Sequence, residues 1–501
     1  MLDAAAPSLS ATDSDDLPAA RDETGSVARN ALMLVAGQAA TTALAIALSA
    51  ALGRKLGPHD FGIYYLITTM AAFAYVVAEW GQPLIVIRET ACDPGRSGRL
   101  LGSALALRAG LALLVTIPAG GVAWLLGYGP ATTTLAVLLI LAMVPMFLAQ
   151  AYGMVFRAHD RMGKDATVSV LNKALLLGLA LPALTRGAGI PGVLLAQAVA
   201  GTLALALAAR LYGALGAPRL HVSGQTAREL LAAGAPILAM TAAASVQPYL
   251  DAILLSKLAP ASAVGWLGAA RNILGTLIAP ASILGAAAYP RLARASADPA
   301  ALRYEVRSAL RPVLWLGALA GTGTYLFAGV AVGLVYGSAG FAPAAAILQV
   351  FAPGLLLLFV DILLGNVIYA SGGGTGFAIA KVASVAVGTG LDLLLIPLCQ
   401  QRYGNGGIGV MIAFALSELV VFAGALCVLR RGTLGLPALL DVLRALGAAA
   451  ATIALFAVLP PLPPALSMPL CVALFGAASL GLGLARRRDL ASLLRALRRG
   501  A

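Results

Sequence analysis

The stretch AAILQVFAPGLLLLFVDILLGNVIY, Ala345 to Tyr369, carries a single charge, Asp361. A helix needs roughly 20 mainly apolar residues to cross a ~30 Å hydrocarbon core. This run is long enough, and it is apolar on all sides. A surface helix shows one apolar stripe instead. Working outward, runs of this kind recur from about residue 30 to about residue 484, about fourteen in all. The chain is 60% hydrophobic and 11% charged, with a mean hydropathy of +0.91. Soluble domains carry about 25% charged residues. The expected fold is therefore an all-α polytopic membrane protein.

The spans read as 30–52, 63–80, 101–126, 132–156, 167–184, 192–215, 236–258, 264–289, 312–335, 345–369, 377–398, 408–429, 443–459 and 470–484. They leave no room for a soluble catalytic domain. The tail 1–28 is rich in Ala, Ser and Asp and lacks a basic region followed by an apolar one. It reads as a disordered cytoplasmic tail, not a cleaved signal. The segment 486–501 interleaves arginines with Leu490, Leu493, Leu494 and Leu497. That spacing suits an amphipathic helix on an anionic leaflet, though charge that merely sets topology is the simpler reading.

Charge decides orientation. Of the 34 Lys and Arg residues, five (Arg54, Lys55, Arg186, Lys257 and Arg402) lie between spans on one side, and 24 lie on the other. Loops rich in Lys and Arg face the cytoplasm. Both termini are then expected inside, which requires an even number of spans. The same distribution explains the net charge of +13 without nucleic acid.

Catalytic patterns are absent. There is no H-E-x-x-H, no Walker sequence and no G-x-S-x-G. The four cysteines form no C-x-x-C pair. No enzyme activity, cofactor or metal is expected. The glycine-rich Ser371–Gly376 lacks the P-loop lysine and reads as a turn.

Two segments resemble each other. Ala45–Ser49 ends span one and leads to Gly62-Ile63-Tyr64; Ala252–Ser256 ends span seven and leads to Gly265-Trp266-Leu267. Six spans separate the copies, so they share one orientation. Parallel repeats of this kind build two lobes related by an axis along the membrane normal. The expected organisation is an N-lobe over 29–215, an inter-lobe linker over 216–235, a C-lobe over 236–430, and two extra spans over 431–485.

At Leu56-Gly57-Pro58-His59-Asp60-Phe61-Gly62-Ile63-Tyr64 the chain resembles the polysaccharide-transport flippases of the multidrug/oligosaccharidyl-lipid/polysaccharide exporter superfamily. Val264-Gly265-Trp266, Ala269-Ala270-Arg271 and Tyr289-Pro290-Arg291-Leu292 resemble their span-eight pattern. The resemblance covers roughly 28–485. It implies a flippase that moves a polyprenyl-diphosphate-linked oligosaccharide, such as an O-antigen or exopolysaccharide repeat unit, across the bacterial inner membrane by alternating access. Membrane lipid and that carrier lipid are the implied partners, with a polysaccharide polymerase or ligase possible beside them. The alternatives are a peptidoglycan-precursor flippase and a cation-coupled multidrug exporter. A membrane-embedded glycosyltransferase or polymerase would need a large outside loop, which the chain lacks.

Ionisable groups at membrane depth are costly and usually face a cavity or a partner. In the N-lobe these are Arg108 and Lys173, with Glu79 the only nearby acid. Drug exporters of the superfamily typically use a buried acid in that lobe, whereas a basic interior suits a diphosphate. Arg271, Arg108, Lys173, Asn272 and Gln38 are the expected substrate-binding residues. Asp361, Asp251, Asp392 and Glu418 are candidates for coupling or gating. The competing reading pairs these acids structurally with Arg271 and Lys381.

Overall fold

The computed structural model describes residues 19–337, 340–429 and 432–485, all in helices and short connections, with no strand among them. The expected basic tail 486–501 lies outside these residues, as does the tail up to residue 18. The helices are α1 (Ala19–Glu79), α2 (Gln82–Cys92), α3 (Ser97–Leu125), α4 (Pro130–Ala158), α5 (Met162–Thr185), α6 (Gly189–Gly213) and α7 (Gly224–Leu258). They continue with α8 (Ala261–Ala295), α9 (Pro299–Tyr336), α10 (Pro343–Ala370), α11 (Gly374–Tyr403), α12 (Gly406–Val428), α13 (Leu436–Val458) and α14 (Pro464–Gly481).

Among the described residues twelve helices are long and apolar enough to cross a membrane, and the bent α7 makes thirteen. Dividing α1 makes fourteen. Its apolar part, Ala36–Glu79, is 44 residues long, or ~66 Å at ~1.5 Å per residue. It is broken at Gly57, where φ is 72° and ψ is 173°, just before Pro58. Glycine adopts this backbone without a Cβ penalty, and proline lacks the N–H that would continue the ladder. The break reverses the chain. Met33 lies against Gly163 at the start of α5, and Trp80 against Gly234 in the first part of α7. Both ends of α1 thus sit at one end of the bundle, the end that carries most of the basic residues. We call it the basic end, and the opposite one the far end.

The repeat is visible in the packing. In the first lobe α1 packs on α5, α3 on α4, and α6 on α4 and α5. In the second lobe α7 packs on α11, α9 on α10, and α12 on α10 and α11. Helices α13 and α14 stand outside both sets and pack on α9. The opening stretch, α10, is at the core of the second lobe. Two thirds of its apolar window (67%) is buried inside the protein, which accounts for its apolar character on every side.

Several boundaries differ from expectation. Helix α1 starts at Ala19, inside the expected tail. The loop expected around 290–312 is mostly helix. Helix α8 runs through Pro290 and α9 through Pro312, and only 296–298 separate them. Proline costs a helix one hydrogen bond and causes a bend, which neighbouring helices can offset. Asp298 starts α9 by accepting from Ala300 N at 2.8 Å. The inter-lobe linker is shorter than 216–235, because Ser223 caps α7 at residue 224. An unexpected short helix, α2, follows the turn at Trp80 and Gly81, both at positive φ.

Candidate functional site

The lobes meet at the far end. A Cβ on Gly62 would lie 1.9 Å from the carbonyl oxygen of Ala261, and one on Gly265 would lie 2.1 Å from that of Pro58. Only glycine permits this crossing of α1 and α8, the use small residues serve between membrane helices. These are the two glycines of the sequence repeat. Below the crossing, Asn272 donates to Ser49 Oγ at 2.8 Å, and Ser49 bonds Tyr336 Oη at 2.7 Å. Arg54 donates to the carbonyl of Val335 at 2.9 Å. At the basic end the contact between lobes runs through the linker and α7: the Trp80 indole donates to Leu231 O, and Ser103 Oγ accepts from Ser223 N.

Helix α7 is bent by 49° between Gly224–Ala243 and Ser245–Leu258. Pro248 explains the place of the bend, since its ring displaces the carbonyl four residues earlier. The second segment carries Gln247, Tyr249 and Asp251 into the second lobe.

Two buried charge clusters follow there. In the first, Arg271 on α8 donates to the Pro248 carbonyl at 2.9 Å and forms an ion pair with Asp251. Asp392 of α11 lies against Asp251. It is 1% exposed and within hydrogen-bonding reach of Asp251. The Tyr65 hydroxyl, from the first lobe, is within hydrogen-bonding reach of Arg271. In the second cluster, Lys381 Nζ donates to Asp361 Oδ2 at 2.6 Å. Glu418 of α12 adjoins this pair and leaves Oε2 buried without a partner. Each cluster holds two acids and one base.

Helix α11 joins the clusters. Lys381, Ser384, Gly388 and Asp392 recur at helical spacing along one face. Midway, Gln247 Nε2 donates to Ser417 Oγ at 2.9 Å, beside Gly388. The acids expected at this depth are therefore brought together in two groups. Asp251 and Asp361 are paired with Arg271 and Lys381, and Asp392 and Glu418 are left over. Tyr65 and Ser417 escaped the sequence reading, because a tyrosine or serine in an apolar run is ordinary until its neighbours are known.

The first lobe differs from expectation at Arg108. Its side chain is 1% exposed, donates to Glu79 Oε1 at 3.1 Å and to Phe147 O at 2.8 Å, and stacks 4.4 Å over the Phe147 ring. These contacts tie α3 to α1 and α4 and close the guanidinium off from solvent, with Nε left unpartnered. An arginine fork fits this role because it bonds two acceptors while covering an aromatic face. Lys173 is the contrast. It is half-buried on α5, with no ion pair or hydrogen bond among the described residues. Gln38 is exposed on the neighbouring α1, whose Gly37 touches Ala166 of α5. Lys173 lies seven residues beyond that contact, about 10 Å deeper. Asn272 is held by Ser49 at the lobe interface.

Two pseudo-symmetric helical lobes clasped at one end, with buried charge in each, define the class of two-lobe membrane transporter folds. The chain belongs to the polysaccharide biosynthesis protein family, whose model matches residues 27–296. Among solved structures it is similar to the lipid II flippase MurJ in an inward closed conformation, at 13% identity and a TM-score of 0.69, over 92% of this chain and 99% of that one. It is also similar to an inward-facing multidrug resistance MATE family transporter of the MOP superfamily, at 17% identity and a TM-score of 0.62, over 77% of this chain and 93% of the other. A third is a MOP superfamily transporter from Pyrococcus furiosus, described by the reverse polarity of its binding pocket. It has 16% identity and a TM-score of 0.55, over 80% and 94% of the two chains. No curated protein sequence matches the chain.

Proposed function

We propose that this protein is a flippase that moves a polyprenyl-diphosphate-linked oligosaccharide from the cytoplasmic to the outer leaflet of the bacterial inner membrane, for surface-polysaccharide assembly. In this reading the basic end is cytoplasmic, as the excess of Lys and Arg there suggests. The observation that carries the proposal is the charge balance of the first lobe. Glu79 is neutralised by Arg108, while Lys173 has no carboxylate partner among the described residues. Such a lobe favours an anionic cargo over a cationic drug, and the family supplies the polysaccharide context.

The physics explains why a protein is needed. Each unpaired hydroxyl costs roughly 2–7 kcal/mol to move into an apolar phase. Several sugars and a diphosphate would face tens of kcal/mol. A hydrated path between the lobes removes most of that, while the polyprenyl chain stays in lipid. Lys173 and Gln38 are the first-lobe contacts for the head group. Asn272 becomes available when the far-end clasp opens, because Ser49 holds it there now, and Arg271, paired with Asp251, then loses its first-lobe neighbour Tyr65. The unpaired acids Asp392 and Glu418 take up the coupling proton or cation, with Asp251 and Asp361 as their paired neighbours. A polymerase or ligase receives the product.

A second reading, a peptidoglycan-precursor flippase, is favoured by the likeness to MurJ. One experiment separates them. The sidedness of lipid-linked oligosaccharides is measured in spheroplasts of a strain lacking the protein, before and after complementation. Accumulation of a surface-polysaccharide intermediate on the inner leaflet, relieved by the intact protein, supports the proposal. Accumulation of the peptidoglycan precursor favours the second reading. No accumulation of either removes both.

A further inference from the structure

A cavity of about 250 Å³ opens at the basic end between the starts of α9 and α13, away from the interface of the lobes. Arg303, Tyr304 and Arg307 of α9 form one wall, and Leu434, Pro437 and Ala438 the other. We propose that this cavity is a binding site for the phosphate head group of an anionic phospholipid, held from the leaflet at the basic end.

Its charge is the first argument. Asp441 of α13 is fully buried and accepts from three arginines: Arg311 Nε at 2.9 Å, Arg444 Nη1 at 2.9 Å and Arg307 Nε at 3.4 Å. One carboxylate cannot neutralise three guanidinium groups. Arg303, which also lines the cavity, makes no ion pair among the described residues. The α13 N-terminus adds the positive end of its dipole. Arginine forks match phosphate oxygens in a bidentate way.

Shape and surroundings are the second. The volume is below the roughly 300–1,000 Å³ of drug-sized pockets. It suits a phosphoglycerol group and is too small for several sugars, so it does not fit the proposed cargo. Immediately beyond the cavity, α13 exposes Leu436, Leu439, Leu440 and Leu443. Acyl chains can lie along that apolar flank while the head group enters between the arginines. Charge beside an apolar band is what a lipid presents and a soluble phosphate does not. The site rests on α9, α13 and the connection just before α13, and is independent of what the lobes carry.

The test is native mass spectrometry of the purified full-length protein with phosphatidylglycerol, phosphatidylcholine, inorganic phosphate or polyprenyl diphosphate added singly. The expected result is one tightly retained phosphatidylglycerol. Arg303→Gln weakens it about tenfold, the effect of losing one charge-assisted contact. Arg99→Gln, which removes an exposed arginine at the start of α3, leaves retention unchanged. Equal weakening by both variants means a diffuse basic surface and overturns the site. So does equal retention of phosphatidylcholine, displacement by an equal concentration of inorganic phosphate, or retention of polyprenyl diphosphate alone. If Arg303→Gln does not fold, Tyr304→Glu places a negative charge on the same wall and is expected to lower retention likewise. Unchanged retention in that variant overturns the proposal.

Discussion

Gly62 of α1 and Ala261 of α8 approach so closely that a Cβ on the glycine would lie 1.9 Å from the alanine carbonyl oxygen. Gly265 makes the reciprocal approach to Pro58. Backbone, not a flexible side chain, blocks the space. A larger residue at either position must separate the helices at the far end. Gly265→Leu is therefore expected to hold that end apart. Ser49, buried beneath the crossing, reports on it. In a background lacking the native cysteines, Ser49→Cys should react slowly with a membrane-impermeant thiol reagent. With Gly265→Leu added it should react at least several-fold faster. An unchanged rate means that the lobes are not held by this crossing.

Arg108 and Glu79 give a prediction about stability. Glu79→Gln leaves a buried guanidinium with its neutral acceptor only. Removing one partner of a buried pair costs about 3–5 kcal/mol. Glu79 is 38% exposed, so water screens the pair and the loss should fall below that range. Arg108→Met removes the charge and keeps most of the volume. Combined with Glu79→Gln, it should regain much of the thermal stability that Glu79→Gln loses. Thermal unfolding in detergent measures this. If the double variant is no more stable than Glu79→Gln alone, the pair is not what ties α3 to α1.

Lys173 is expected to behave in the opposite way. It has no partner among the described residues, so Lys173→Gln should unfold at nearly the same temperature as the parent protein. Transport should fall about tenfold or more, as when one charge-assisted contact is lost. Lys173→Arg should restore part of it. Flipping of a fluorescent lipid-linked diphosphate in proteoliposomes provides the readout. Full activity in Lys173→Gln would remove this residue from the cargo path.

The sequence made the span pattern, the repeat and the depth of each charge legible, because hydropathy and spacing record them directly. It identified Gly62 and Gly265 as equivalent positions, and they prove to touch. It could not tell which charges were already paired. Arg108 and Lys173 look alike in sequence, each a cation about two turns inside an apolar run. Only the fold shows that Glu79 and the Phe147 carbonyl reach one and that no carboxylate among the described residues pairs with the other. The polar run between the spans 264–289 and 312–335 read as a loop, yet tertiary packing carries α8 through Pro290 and α9 through Pro312. Asp441 was equally opaque, because its arginine partners Arg307 and Arg311 are more than 100 residues away in the chain.

The two leftover acids of the second lobe give the last prediction. Asp392 and Glu418 are buried and form no ion pair among the described residues. A buried unpaired carboxylate is costly, and a bound proton or small cation removes that cost. Asp392→Asn and Glu418→Gln keep shape and remove the exchangeable charge. Both are expected to fold as well as the parent or better. If the coupling ion binds there, transport in these variants should no longer respond to an imposed proton or sodium gradient, while exchange without a gradient persists. Asp361→Asn is different, because it leaves Lys381 half-buried without its 2.6 Å partner. That variant should lose stability as well as gradient dependence. Proteoliposome transport with and without each gradient, beside thermal unfolding, distinguishes the two patterns. If Asp392→Asn and Glu418→Gln both retain the full gradient response, coupling does not pass through these clusters, and their acids serve only to hold α7, α8, α10, α11 and α12 together.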